Sequence, residues 1–234
     1  MLLLGHFPYG ESGFYICFYF KGGLTNGLGK LHIISTGQQT PETLASIVEK
    51  IGPFVDRIHL RERIWSDRAM VHTMELLQSK GVPGHKIIVN SRLDVAHVMQ
   101  AGGVQLTHHS MELSMVRDAY CDLTIGCSVH DVEEAVLAEE RGADYLLYGH
   151  VFESKSKPGV KPRGLDALKQ VAQNVSIPVI AIGGIKPENT KEVIRCGASG
   201  IAVLSGVLLA NDPVKQAILY RDALRKVAND EKTT

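Results

Sequence analysis

The 234 residues balance Lys+Arg 25 against Asp+Glu 25, a formal net charge of zero, with 44% hydrophobic and 21% charged residues. No basic stripe interleaved with aromatics is present, so nucleic acid is not an expected partner. The chain is long enough for a large core, and one (β/α) barrel of about 250 residues is an ordinary outcome for it.

The first thirty residues differ from the rest. Seven of the thirteen Phe and Tyr lie between Phe7 and Phe20, with Gly and Pro scattered among them and no lasting period. Met1-Leu-Leu-Leu lacks a basic n-region, is broken by Gly5 and Pro8, and is too short to span a membrane. Residues 1–30 are therefore expected to be an N-terminal extension, poorly ordered or translated from a misplaced start. Neither a signal peptide nor a membrane is expected. The four cysteines, Cys17, Cys121, Cys127 and Cys196, form no C-x-x-C pair and no metal-ligand spacing with His, so free thiols in a reducing cytosol are expected.

From Leu31 short apolar runs alternate with amphipathic stretches. Residues 31–35 predict a first strand and 41–51 a helix with Pro at its start and Leu44, Ile47, Val48 and Ile51 at helical spacing. Strands follow at 54–60, 86–89, 103–106, 124–128 and 144–148, and helices at 66–79, 92–101, 112–119, 131–141 and 164–173. Two glycine-ended runs, Pro178 to Ile185 and Ser199 to Gly206, complete eight strands. A helix at 187–196 separates them, and the last helix opens at Asn211-Asp-Pro213 and runs to about Val227. Eight strands alternating with helices predict a parallel sheet closed as a single-domain (β/α)8 TIM barrel over residues 31–230, with an open doubly wound sheet as the alternative.

Such barrels place chemistry at the C-terminal strand ends. The Gly183-Gly184 and Leu204-Ser205-Gly206 ends offer backbone N–H groups to an anion, so a phosphate cup is expected there. Strand two ends His59-Leu-Arg-Glu-Arg63, and period-two alternation puts His59, Arg61 and Arg63 on one face. Two guanidiniums then point into the mouth to meet carboxylate or phosphate, unless they are surface arginines paired with Glu62 or Asp67. Strand five ends Gly126-Cys-Ser128-Val-His130, before a cap at Asp131 with Glu134 three residues on. An imidazole at such an end suits proton transfer. Strand six runs into a Gly/Pro loop bearing Ser154, Ser156, Lys157 and Lys161, suited to a flap over an anion or simply solvated.

Taken together, His59-Leu-Arg-Glu-Arg63, Asn90-Ser-Arg-Leu-Asp94, Gly103-Val-Gln-Leu106, Gly126-Cys-Ser-Val-His130, Val151-Phe-Glu-Ser-Lys-Ser-Lys157, Ile182-Gly-Gly-Ile185 and Val203-Leu-Ser-Gly206 resemble the thiamin phosphate synthase family of phosphate-binding TIM barrels. The resemblance implies a cytoplasmic enzyme of thiamin biosynthesis. The family's synthases hold Mg²⁺ with two aspartates, and the matching positions here are Ser91 and Ser110. Neutral hydroxyls are poor Mg²⁺ ligands, and diphosphate departure would lack its metal. The flap threonines of the family are Ser154 and Ser156 here, while Lys157 is retained.

A thiazole-phosphate site without the metal positions resembles the TenI-type branch, the thiazole tautomerases. This implies a metal-free isomerase without cofactor, whose partner is a small thiazole phosphate. In the roles so implied, His130 shuttles the proton, and Arg61 and Arg63 hold the substrate carboxylate. Ser128 orients the ring, Ser154 lies on the flap, and Gly183, Gly184, Leu204, Ser205 and Gly206 bind the phosphate. A non-catalytic thiazole-phosphate binder and a residual synthase stay open, as do a homo-oligomeric assembly and assistance from His59, His108 or His109.

Overall fold

The structure, a computed structural model, describes residues 29–154 and 156–232. Of the expected N-terminal extension only Gly29 and Lys30 fall within this range; the rest lies outside the described residues. Eight parallel strands close a barrel in sequence order, β1 (Lys30–Ile34), β2 (Arg57–Leu60), β3 (Ile87–Asn90), β4 (Gly103–Leu106), β5 (Thr124–Val129), β6 (Tyr145–Gly149), β7 (Val179–Ile182) and β8 (Gly200–Val203), with β8 pairing back onto β1. The (β/α)8 barrel is thus the architecture, and the open sheet is excluded by the Leu31↔Ile201 and Ile33↔Val203 register.

Around it lie α1 (Pro41–Ile51), α2 (Asp67–Ser79), α3 (Leu93–Val98), α4 (Leu113–Ala119), α5 (Val132–Glu140), α6 (Gly164–Asn174), α7 (Thr190–Arg195), α8 (Ser205–Leu208) and α9 (Pro213–Lys232). The helix α1 forms as its sequence requires: Thr40 caps it by accepting from Thr43 N, Pro41 occupies the first turn, and Leu44, Ala45, Val48 and Ile51 are buried. Two strand boundaries differ from expectation because turns consume their ends. Residues Gly52–Phe54 form a 3-10 turn, so β2 starts at Arg57. The second glycine-ended run stops as a strand at Val203, and Ser205 begins the separate short α8.

Side-chain alternation divides the barrel into two cores. Leu31, Ile33, Ile58, Leu60, Val89, Val104, Leu146 and Tyr148 face the helices, whereas Ile34, Tyr145, Leu147, Ile180 and Ala202 fill the barrel interior. Helix α9 is anchored at the strands' N-terminal end: Arg221 donates to Asp56 Oδ2 at 2.5 Å, to Phe54 O at 2.8 Å and to Gly29 O at 2.9 Å, and Asp56 also accepts from Leu31 N. These contacts hold β1 and β2 at the end opposite the candidate site.

The free-thiol expectation fails at Cys121, which is disulfide-bonded, while Cys127 and Cys196 are free. Pairing depends on Cα separation in space rather than on short sequence spacing, so the absence of C-x-x-C carried no information about it. Cysteine usage accordingly gives no argument for a reducing compartment. Among the described residues, no helix is long and apolar enough to cross a membrane.

Candidate active site at the barrel mouth

Strand β5 delivers Ser128 to the interior face, opposite Leu147 in register, and ends one residue before His130. Asp131 then caps α5 by accepting from Glu134 N at 2.8 Å. Glu134, in the first turn, reaches back past the cap: its Oε2 accepts from His130 N at 2.7 Å and lies 3.1 Å from His130 Nδ1. A carboxylate only accepts, so Nδ1 carries a hydrogen, and Nε2 is the nitrogen that bears the lone pair in the neutral form of the ring. The His130 side chain remains 28% exposed, enough to meet a ligand.

The glycine ends of β7 and β8 lie side by side, since Ile182 pairs with Ala202. Gly183 and Gly184 have φ of +101° and +64°, and a Cβ on Gly184 would stand 2.3 Å from Glu153 O. Glycine is required there both for backbone conformation and for the close approach of the flap base, which brings Ser154 beside the cup. At β8, Leu204 provides no side-chain cap to α8, so the exposed Ser205 and Gly206 present first-turn N–H groups with no intrahelical acceptor. Two residues brace this cup. Asn189 donates to Gly184 O at 3.2 Å, and the buried Tyr220 donates to Ile185 O at 2.9 Å.

The strand-two arginines are placed differently from one another. Because β2 ends at Leu60, alternation carries His59 into the barrel but does not extend to Arg63, which is exposed on the following turn. Arg61 is half-buried, and its N–H donates to Ser35 Oγ at 2.8 Å. Burial, then the Arg63 charge, lowers its pKa against the opposing effect of Glu62. Among the described residues neither guanidinium is ion-paired; Asp67 pairs instead with Arg92. Glu62 itself is buried, accepts from Gly37 N at 3.3 Å, and leaves Oε2 without a partner. Burial pushes its carboxyl up, opposed by hydrogen bonds from Ser35 and Gly37 and by the Arg61 charge.

Ser91 and Ser110, 19 residues apart, meet with their hydroxyls at 3.1 Å. Ser91 has φ +62°, and Asn90 Nδ2 donates to its Oγ at 3.1 Å. Ser110 Oγ accepts from Thr107 N at 3.0 Å. The resulting cluster holds neutral oxygens only, and among the described residues no three His, Cys, Asp or Glu side chains group as a metal site. These residues do not fit Mg²⁺, which favours carboxylate oxygens. His108 and His109 are exposed, with ring centroids 3.9 Å apart and planes tilted by 41°, and the His108 ring lies 6.5 Å from that of His130.

Beneath the mouth, His59 Nε2 lies 3.0 Å from His32 Nδ1, and both rings meet Tyr145 edge-on at 6.3 and 5.8 Å. His32 Nε2 and His59 Nδ1 are buried without a partner among the described residues. Burial, with nearby Arg57, Lys30 and Arg221 charges, pulls the His32 pKa down to about 3, and burial lowers that of His59 as well. Both imidazoles are therefore neutral in the folded protein, and His59 is set apart from the open mouth.

Sequence reading missed Glu134 as more than a cap partner, although its place four residues after His130 was a usable signal. Asn189 and Tyr220 carried no signal, since their targets are backbone carbonyls fixed only by the fold.

Residues 31–207 match the family described as thiamine monophosphate synthase. The thiamine-phosphate synthase of Pyrococcus horikoshii is 38% identical over 202 residues, covering 86% of this chain and 95% of that protein. The one from Chloroflexus aurantiacus is 40% identical over 160 residues, 66% of this chain and 73% of that one. The solved thiamine phosphate pyrophosphorylase from Pyrococcus furiosus superposes with a TM-score of 0.74 at 33% identity, covering 85% of this chain and 96% of that one. A 3-hexulose-6-phosphate synthase, 17% identical at a TM-score of 0.64, shares the fold.

Proposed function

The chain belongs to the thiamine monophosphate synthase family, and within it we propose that it is a thiazole tautomerase, an isomerase of thiamin biosynthesis rather than a synthase. The observation that carries this reading is the Ser91–Ser110 hydroxyl contact, where the synthases resembled by this sequence hold Mg²⁺ with two aspartates. A mouth of neutral hydroxyls suits a reaction that needs no metal.

In this reading the substrate is 2-carboxy-4-methylthiazol-5-ylidene ethyl phosphate. Its phosphate accepts from the N–H groups of Gly183, Gly184, Leu204, Ser205 and Gly206, with Ser154 above it. Arg61, half-buried and without an ion pair among the described residues, holds the carboxylate, while Arg63, exposed on the turn after β2, is left out of this role. His130 Nε2 takes the proton from the ring carbon bearing the carboxylate. The electron pair moves through the ring as the exocyclic double bond shifts inward. The same nitrogen returns the proton to the exocyclic carbon, giving the aromatic carboxythiazole with atoms and charge conserved. Glu134 compensates the transient imidazolium and keeps the ring in place.

The test is a proton NMR time course of the ylidene substrate with and without protein. His130→Asn should lower turnover by about 10²- to 10⁴-fold while phosphate affinity holds; turnover close to wild type removes His130 from the mechanism. A second reading, a thiamine-phosphate synthase, is favoured by what the relatives are called. Mg²⁺-dependent release of pyrophosphate from the pyrimidine diphosphate and thiazole phosphate would establish it over the first.

A further inference from the structure

A buried polar chain runs from β6 through β4 to β5. Tyr145 Oη lies 2.8 Å from Gln105 Oε1, and Gln105 Nε2 lies 3.1 Å from Ser128 Oγ and 3.4 Å from Leu106 O. The backbone carbonyl of Leu106 can only accept, so the amide edge facing it is the NH2 edge. Oε1 then faces Tyr145, and the phenol must donate. Burial raises the Tyr145 pKa far enough that it keeps this proton. With one amide hydrogen directed to Leu106 O and the other to Ser128, the Ser128 oxygen accepts, and its own hydrogen is left for a partner in the mouth.

The chain has been given room. A Cβ on Gly126 would stand 2.1 Å from Tyr145 Cζ and 2.4 Å from Gln105 Oε1, so only glycine at this position admits both side chains. The His32 and His59 rings wall the phenol on its other side. Tyr145 and Gln105 are fully buried, so neither contacts ligand directly.

We propose that Tyr145 and Gln105 act as positioning residues that keep the Ser128 hydroxyl hydrogen free and aimed at the mouth, so that the site favours a phosphate ester whose ring carries an in-plane acceptor nitrogen facing β5. The inference rests on the thiazole-phosphate reading and deepens it. Both tautomers of the substrate have a ring nitrogen with an in-plane lone pair, while Arg61 is the group available to the carboxylate. A ring that turns a C–H toward Ser128 leaves that hydroxyl hydrogen without an acceptor and binds less tightly.

The test compares the affinities of 4-methyl-5-(2-phosphooxyethyl)thiazole and its thiophene isostere, in which C–H replaces the nitrogen, by titration calorimetry. Neither compound carries the carboxylate, so the ring nitrogen is the only difference. Wild type should bind the thiazole about 5- to 10-fold more tightly, the worth of one hydrogen bond. In Ser128→Ala the ratio should fall to about 1, again by loss of that one bond. In Tyr145→Phe and in Gln105→Leu it should fall at least about 3-fold while the thiophene affinity holds, since a general loosening would weaken both ligands alike. Should one of these two variants not fold, the other decides. Equal wild-type affinities, or a ratio that survives both substitutions, overturns the proposal. Binding of neither compound overturns the thiazole-phosphate reading itself and the inference with it.

Discussion

Glu134 holds His130 twice through one oxygen, accepting from the backbone N–H at 2.7 Å and facing Nδ1 at 3.1 Å. The spacing of four residues across the β5–α5 junction ties the end of a strand to the first turn of the next helix. The imidazole is thereby fixed in position and in tautomer. Removing the tie should affect the proton transfer more than binding.

Glu134→Ala is expected to lower kcat by about 10- to 100-fold, the range for a hydrogen bond to a charged group, with KM little changed. Glu134→Gln keeps a carbonyl oxygen that can accept from Nδ1–H and should recover much of the loss. The NMR time course at saturating substrate reads both. Equal losses in the two variants would assign the effect to charge rather than orientation.

The cup glycines give a sharper structural expectation. At Gly184 a Cβ would meet Glu153 O at 2.3 Å and Phe152 Cβ at 2.7 Å, with φ at +64°. Gly184→Ala must displace backbone at the base of the flap, costing about 1–3 kcal/mol as overpacking does. Thermal unfolding should register that loss, and the affinity for a thiazole phosphate should fall with it. An unchanged affinity would separate the flap base from the phosphate site.

Much of this site was legible because strand-end chemistry follows from the alternation of apolar runs and helices. Ser128 and His130 fall where the β5 reading put them, and the Gly183-Gly184 and Leu204–Gly206 ends are neighbours because β7 pairs with β8. Arg63 was misread through the length of one strand: alternation is a property of extended backbone, and β2 stops at Leu60. The Tyr145–Gln105 bond spans 40 residues, and no local pattern announces it.

The barrel interior predicts an acid limit to stability. His32, with a pKa near 3, and His59, also lowered, stay neutral when folded and take up protons near 6.5 when unfolded. Between these values the unfolded state binds more protons, so stability is complete above about pH 6.5 and is lost as pH falls toward 3. Glu62, with its raised pKa, acts in the opposite sense, contributing stability below 4.5 that is lost as pH rises through its folded value. Comparing wild type with His32→Asn/His59→Asn cancels that contribution, since both proteins retain Glu62. The fall in Tm from pH 7 to pH 5 should be shallower in the double variant, and equal slopes would remove the histidine pair as its cause.

The hydroxyl pair yields a gain-of-function expectation. Ser91 and Ser110 meet at 3.1 Å, so Ser91→Asp/Ser110→Asp would place two carboxylates against one another. Ser91 sits at φ +62°, a conformation that Asp accepts more readily than most residues. Without a cation the two charges repel, and the variant should be less stable than wild type at neutral pH. Mg²⁺ supplies the missing counter-charge with the oxygen ligands it favours. Binding to the folded state alone raises stability, by about 2.7 kcal/mol at a metal concentration of 100 Kd. Millimolar Mg²⁺ should therefore raise the Tm of the double variant and leave that of wild type in place. A wild-type Tm that rises equally would place a Mg²⁺ site in this mouth despite its neutral oxygens, and the case for a metal-free isomerase would lose its main support.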